Sequence, residues 1–189
     1  MDGDTGRHVL TTAELRQRNL DRKMFCAMPR TRIHVVLDGV QRGYNVGAII
    51  RLCDAMLIER LTVCGTPAGI LHKRKVVQAA QGSAKWVPVS EADSAIDTVT
   101  EAKQRGYQIV IAELTDNSVA PEKFVPRLPM CLVLGNERLG VSTPIADIAE
   151  AAICVPMNGM SNSLNVSTAA AIILYQLRLK MVHQDTQIT

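Results

Sequence analysis

Six short runs of β-branched and apolar residues recur along this chain of 189 residues: Ile33–Leu37, Leu61–Cys64, Trp86–Val89, Gln108–Ala112, Cys131–Leu134 and Ala152–Val155. Around them lie segments of helical pattern, Thr12–Met28, Val46–Met56, Arg74–Gln81, Glu91–Arg105, Thr143–Glu150 and Ser163–Val182. Strands that alternate with helices pair through crossover connections, which predicts an α/β fold: a mainly parallel sheet with helices on both faces. Ile109–Ala112 and Cys131–Leu134 are apolar throughout, as strands covered on both sides must be. Asp116–Pro129 carries three prolines and no period, so it reads as a long surface loop before the fifth strand. The division expected is a basic helical extension over residues 1–30, one α/β domain over 31–183, and a tail over 184–189.

Aromatic residues make up 3% of the chain, too few for a platform that stacks single-stranded bases. The five cysteines, Cys26, Cys53, Cys64, Cys131 and Cys154, are odd in number and lack metal-ligand spacing. Most sit in apolar runs and read as small core residues, so neither a disulfide framework nor a metal site is expected. The N-terminal stretch has no signal-like apolar core, and no apolar run reaches about 18 residues. The expected setting is the cytoplasm, with no membrane partner.

Net charge is only +3, but the cations are clustered. Arg7, Arg16, Arg18, Arg22, Lys23, Arg30 and Arg32 crowd the first 34 residues, and His72-Lys73-Arg74-Lys75 forms a second run. Such clusters suit phosphate contacts; a solvated helix face gives the same pattern.

Chemistry concentrates at three strand-to-helix junctions. The first is Asn45-Val46-Gly47-Ala48-Ile49-Ile50-Arg51. Val46, Ile49, Ile50, Cys53, Met56 and Leu57 form an apolar helix face, while Gly47 and Arg51 share another stripe. Helical side chains lean toward the N-terminus, so Arg51 could reach back over Gly47 to a helix mouth that Asn45 occupies. An Asn N-cap and a surface Arg account for the same residues. The second junction, Leu132 to Gly140, closes a buried strand on Gly135 and sets Glu137 at the sheet's carboxyl edge. A tight turn with an exposed acid is the plainer account. In the third, Pro156 stops a strand, Gly159 relieves the loop, and Asn162 or Ser163 could cap the last helix. Capping explains one polar residue there, but not Asn158, Ser161, Asn162, Ser163 and Asn165 together. Open α/β sheets bind ligands at such junctions, and three in one chain point to one composite site.

Other chemistries lose ground on spacing. No G-x-G-x-x-G follows a strand, and no G-x-x-x-x-G-K-[ST] phosphate loop exists. His8, His34, His72 and His183 are scattered, and Ser163 has no G-x-S-x-G elbow. Hydride transfer, phosphoryl transfer and serine hydrolysis are disfavoured.

In order and content the three stretches resemble the three signature motifs of the SpoU class of RNA 2′-O-methyltransferases, in the SPOUT superfamily. The third motif extends from Ile153 to Ala170, and Gly82-Ser83-Ala84-Lys85-Trp86-Val87 resembles a stretch of the tRNA guanosine-2′-O-methyltransferase branch. The likeness covers roughly residues 33–180, so the domain over 31–183 would be the SPOUT methyltransferase domain. It implies a deep trefoil knot near the carboxyl end, S-adenosylmethionine as cofactor, and a homodimer with its sites near the interface. By motif position it implies Asn45, Arg51, Glu137, Ser163 and Asn165 as the functional polar set. Leu114, Thr115, Leu134, Gly135, Val155, Met157 and Leu164 would line the cofactor pocket. RNA would be gripped through Arg16, Arg18, Arg22, Lys23, Lys73, Arg74 and Lys75. One departure is Gly39, where many members carry asparagine.

The reaction implied is attack of a ribose 2′-hydroxyl on the cofactor's methyl group, which needs alignment and removal of one proton. In this family the counterpart of Arg51 is proposed as the base. Arginine stays charged in nearly every setting, so Arg51 could equally stabilise the developing alkoxide and hold the adjacent phosphate. The target favoured is a guanosine in tRNA. The rivals are ribosomal RNA or the tRNA wobble nucleotide and, from another class, a non-catalytic RNA-binding protein of the same fold.

Overall fold

The computed structural model describes residues 9–18 and 21–186. Its sheet contains β1 (Thr31–Asp38), β2 (Ile58–Cys64), β3 (Val89–Ala92), β4 (Gln108–Ala112), β5 (Met130–Leu134) and β6 (Ala151–Ile153), in the order β3-β2-β1-β5-β4-β6. All five pairings are parallel. The helices are α1 (Thr12–Gln17), α2 (Arg22–Ala27), α3 (Gly43–Ala55), α4 (Arg74–Ala80), α5 (Ala95–Gln104), α6 (Thr143–Ile148) and α7 (Val166–Thr186).

Strand alternation divides the core in two, as the apolar runs require. On one face Ile33, Val35, Leu37, Leu61, Val63, Val110, Leu132 and Leu134 pack with Val46, Ile49, Ile50 and Cys53 of α3 and Ala170, Ile173, Leu174 and Leu177 of α7. On the other, Val36, Cys64, Ile109, Ile111, Cys131 and Val133 pack with α5 and α6 through Val99, Ala102 and Ile145. Each fully buried aliphatic side chain stabilises the fold by about 1.5–3 kcal/mol before chain entropy is counted. All five cysteines are free, and burial pushes the Cys53 and Cys131 thiols up to about 12, in keeping with inert core packing. Among the described residues no helix is long and apolar enough to cross a membrane.

Several boundaries differ from expectation. The single helix over Thr12–Met28 is two short ones, because Asp21 leaves helical geometry and caps α2, accepting from the Lys23 and Met24 N–H groups. Residues 19 and 20 between them, the start of the 1–30 extension and residues 187–189 of the tail lie outside the described residues. The strand expected over Trp86–Val89 begins only at Val89; Ser83–Lys85 forms a 3-10 turn that Trp86 N–H closes on Ser83 O at 2.9 Å. Glu91 belongs to β3, and α5 starts after Ser94, whose hydroxyl accepts from Asp97 N–H. The proline-rich loop is tucked in rather than loose. Phe124 is buried, and Lys180 of α7 donates to the carbonyls of Pro121, Glu122 and Phe124.

Candidate active site

From β1 the chain steps outward to β2 and β3, then crosses back to place β4 and β5 on the other side of β1. Ligand crevices form beyond the carboxyl ends of strands at such a switch. Here the ends of β4, β5 and β6 and the start of α7 enclose a cavity of about 630 Å³. That lies within the range of roughly 300–1,000 Å³ usual for small-molecule sites.

Three distant segments meet at its mouth through one hydrogen-bonded bridge. Asn45 Nδ2 donates to Glu137 Oε1 at 2.8 Å, and Asn165 Nδ2 donates to Asn45 Oδ1 at 3.0 Å. Glu137 also accepts from the N–H groups of Arg42 (3.1 Å) and Gln41 (3.2 Å), at the free start of α3. Burial alone would raise its carboxyl, but its own backbone N–H, Asn45, Arg42 and Gln41 outweigh that and hold it below the usual value. Glu137 is therefore a fixed carboxylate. Asn45 is buried in the first turn of α3, which Arg42 rather than Asn45 caps. The last helix is capped by neither Asn162 nor Ser163. Asn165 Oδ1 accepts from Ser167 N–H (2.9 Å) and Ser167 Oγ (2.7 Å), so one asparagine both caps α7 and joins the bridge.

The glycines of the motifs serve close approach. A Cβ on Gly135 would lie 2.2 Å from the Gly140 carbonyl carbon, because the 136–140 turn folds back on the strand end through paired Asn136–Gly140 backbone bonds. On Gly47 it would lie 2.5 Å from Val76 O, so this glycine seats α4 against α3. Gly39 has φ +69°, a left-handed conformation that glycine and asparagine adopt more readily than other residues, so the departure at this position keeps the backbone conformation accessible. Its carbonyl accepts from Asn136 Nδ2 at 2.7 Å.

Glu137, Ser163, Asn165, Leu114, Leu134, Gly135, Val155, Met157 and Leu164 all line the cavity. Thr115 does not; its N–H and hydroxyl turn inward to Ser118 and Asn117. Arg51 does not either. It is exposed on α3, and the space over Gly47 through which it was expected to reach is filled by α4. Sequence reasoning missed Arg42, Glu113 and Cys154 in the lining. Glu113 follows an apolar strand directly, the same signal that marked Glu137, and its Oε2 accepts Val141 N–H at 3.0 Å.

Of the basic residues, Arg18, Lys23, Lys73, Arg74 and Lys75 are exposed, and the side chain of Arg16 lies outside the described residues. Arg22 lies over the Trp86 ring at 5.0 Å, beside an edge-on contact of Phe25 at 5.7 Å, which docks α2 on the domain. Lys73, Arg74 and Lys75 open α4, the helix end where positive charge is least favourable, and Lys75 Nζ is 5.9 Å from the Tyr44 ring. No group of three or more His, Cys, Asp or Glu suited to a metal occurs among the described residues.

Fold and site together define an α/β domain with a junction-built cofactor-type cavity, and comparison with known proteins specifies it. A sequence model of the SpoU rRNA Methylase family matches residues 32–175. A tRNA (guanosine(18)-2′-O)-methyltransferase of Aquifex aeolicus is 40% identical over 143 residues, 75% of this chain and 66% of that protein. The crystal structure of an A. aeolicus TrmH/SpoU tRNA modifying enzyme superposes with TM-score 0.77 at 35% identity, covering 87% of this chain and 83% of the other. An AdoMet-bound rRNA methyltransferase from Sinorhizobium meliloti gives TM-score 0.72 at 28% identity, covering 82% and 59%. The chain belongs to the SpoU rRNA methylase family. It spans 66% of the length of that Aquifex aeolicus relative and 61% of a relative of the same name from Escherichia coli.

Proposed function

We propose that this protein methylates a ribose 2′-oxygen of RNA with S-adenosylmethionine, and that its target is a guanosine of tRNA. The observation that carries the reading is the Glu137–Asn45–Asn165 bridge, which draws all three motifs to one cavity mouth. The tRNA preference is supported by the relatives named for tRNA guanosine-2′-O methylation. The cavity suits the cofactor chemically: Leu134, Val155, Met157 and Leu164 offer apolar surface to an adenosine, and Glu113 and Glu137 offer carboxylates to a sulfonium cation. The cofactor supplies an activated methyl group that leaves a neutral thioether behind.

The chain's own residues supply alignment and charge. Asn45 fixes Glu137 and Asn165 relative to each other, and the exposed Ser163 hydroxyl, which makes no hydrogen bond among the described residues, is available to the ribose. Arg51 holds the neighbouring phosphate and stabilises the alkoxide as the proton leaves. The working unit is a homodimer. An exposed stripe of Ile172, Tyr175 and Leu179 on α7 supports this, as does the position of Arg51 away from its own chain's cavity; in this reading Arg51 serves the partner's cavity. Residues 1–30 and the Lys73–Lys75 run grip the RNA, the domain proper is residues 31–183 with residues 184–189 as its tail, and the chain end threads the trefoil knot of the family. The setting is cytoplasmic.

The test is transfer of labelled methyl from S-adenosylmethionine to unmodified tRNA, read as 2′-O-methylguanosine. Wild type transfers; Arg51→Ala and Asn165→Ala do not. Mixed dimers of the two variants recover roughly a quarter of wild-type activity, since half the dimers then hold one complete site. No recovery would return Arg51 to its own subunit's site. Cofactor binding without methyl on tRNA would move the target to ribosomal RNA.

A further inference from the structure

The other face of the sheet holds a second polar cavity, of about 220 Å³, facing α5. Its lining includes His34, Arg60, Thr62, Ser90, Glu101 and Arg105, none of which belongs to the three motifs. His34 is 7% exposed and Thr62 6%, each next but one to an apolar residue of that face, Val36 on β1 and Cys64 on β2. His34 Nε2 and Thr62 Oγ1 are 2.8 Å apart and hydrogen-bonded, and Thr62 Oγ1 and Ser90 Oγ are 3.2 Å apart. One polar chain thus crosses three adjacent parallel strands, β1, β2 and β3.

His34 Nδ1 has no partner among the described residues. No sealed side-chain nitrogen or oxygen among the described residues lacks one, so Nδ1 opens onto the cavity. Arg60 spends its Nε and Nη2 on Glu59, a residue outside the lining that also accepts the Tyr107 hydroxyl at 2.8 Å. Arg60 Nη1 has no partner among the described residues. Arg105 meets Glu101 only at 3.4 Å, with both side chains more than half exposed, a pair that exchanges readily for a better acceptor. Each guanidinium has a carboxylate beside it, Glu59 for Arg60 and Glu101 for Arg105, so the cavity becomes electropositive when an anion displaces the weak Arg105–Glu101 contact and His34 takes a proton. Consistently, burial first, then Arg60 and Arg105 against Glu59, hold His34 down to about 4.

We infer that this cavity binds a phosphate group, held by the Arg60 and Arg105 guanidinium groups, the His34 Nδ1–H and the Ser90 hydroxyl. The polar chain explains how the last two donors act together. When His34 takes a proton from solvent, Nε2–H donates to Thr62 and the Thr62 hydroxyl donates to Ser90. Nδ1–H and the Ser90 hydroxyl are then both left for the anion. In either neutral tautomer one of these two is lost. Binding is therefore coupled to uptake of one proton at His34. At about a third of the volume of the active-site cavity, the space takes a phosphate and its ester oxygen rather than a whole nucleotide. The phosphate is carried either by an RNA backbone or by a small phosphorylated molecule. The site stands whether or not the protein transfers methyl groups.

The experiment is imidazole NMR of the full-length protein in inorganic phosphate, against chloride at equal ionic strength, from pH 7 down to pH 4. Phosphate is expected to move the His34 titration midpoint upward by at least one pH unit, a tenfold or larger preference of the anion for the protonated form. Arg105→Gln, at an exposed position that the fold tolerates, is expected to abolish that movement, and Arg60→Gln to reduce it. A midpoint unchanged by phosphate, or one that moves equally in Arg105→Gln, overturns the inference. If unmodified tRNA reproduces the change and phosphate competes with it, the RNA backbone is the source. If tRNA leaves His34 untouched while phosphate moves it, the ligand is a small phosphorylated molecule.

Discussion

Two polar networks cross this fold, and they differ in where they sit and in what they can do. Glu137, Asn45 and Asn165 meet beyond the strand ends, on a loop and two helix starts, around a cavity open to solvent. His34, Thr62 and Ser90 lie within strands, across the sheet face, with two of the three buried. A network at strand ends can exchange protein partners for ligand partners at little structural cost, since loops carry it. A network inside the sheet is tied to strand register, so its protonation is felt by the whole fold. In the proposed function the first serves the reaction, while the second couples charge to stability.

The largest expected effect falls on the first network. Asn45→Ala removes the one side chain that bonds both Glu137 and Asn165. Methyl transfer is expected to fall about 10²–10³-fold, because loss of alignment by an ångström or of one fixed donor costs on that order. Cofactor binding is expected to change far less, since Asn45 does not line the cavity. Activity within about threefold of wild type, a difference well under the 1.4 kcal/mol of a tenfold change, would make the bridge merely structural.

The second network should show itself in pH dependence. His34 is held down to about 4 in the folded protein against 6.5 for the free side chain. Below pH 6.5 the unfolded chain takes up a proton that the folded one does not, so stability falls as pH drops, down to about pH 4, and is fully present above 6.5. The shift corresponds to about 3 kcal/mol across that window. His34→Gln, which does not titrate, is expected to flatten this part of the curve in urea unfolding from pH 7 to pH 4. An unchanged slope would show that His34 is charged in the fold.

The two networks also differ in how well the sequence displayed them. Every member of the first stands at a strand-to-helix junction whose loop or helix start carries a glycine, where apolar periodicity breaks and chemistry is expected. Glu137, Ser163 and Asn165 were legible on that ground, as was the parallel sheet itself. Arg51 was legible as a motif residue but not in its placement, because the α4 backbone over Gly47 is a tertiary fact. His34, Thr62 and Ser90 are single polar residues set in or beside apolar runs, 28 residues apart at each step. Only strand order and register bring them together, and neither follows from spacing. Asp21 and Ser94, which end one element and start the next, were visible as cap types but were read through as helix interior.

On the pH axis the two networks separate, though the effect there is small. Glu137 is held below its usual value of 4.5, so it contributes stability above that pH and loses it as pH falls through its folded value. Its window therefore lies at the acid end, below most of the range in which His34 acts. Glu137→Gln keeps one carbonyl oxygen for Asn45 and Arg42 but turns an amide N–H toward the Gln41 N–H, which loses its acceptor. The expected cost at pH 7 is about 1 kcal/mol, the worth of one hydrogen bond. That cost should shrink below pH 4.5, where the wild-type carboxyl takes up a proton of its own, while the slope between pH 6.5 and 4.5 stays as in wild type. Urea unfolding of Glu137→Gln and His34→Gln side by side reads both windows. If Glu137→Gln altered the upper window instead, the two networks would be electrostatically one, and the division between a reactive end and a stabilising face of the sheet would not hold.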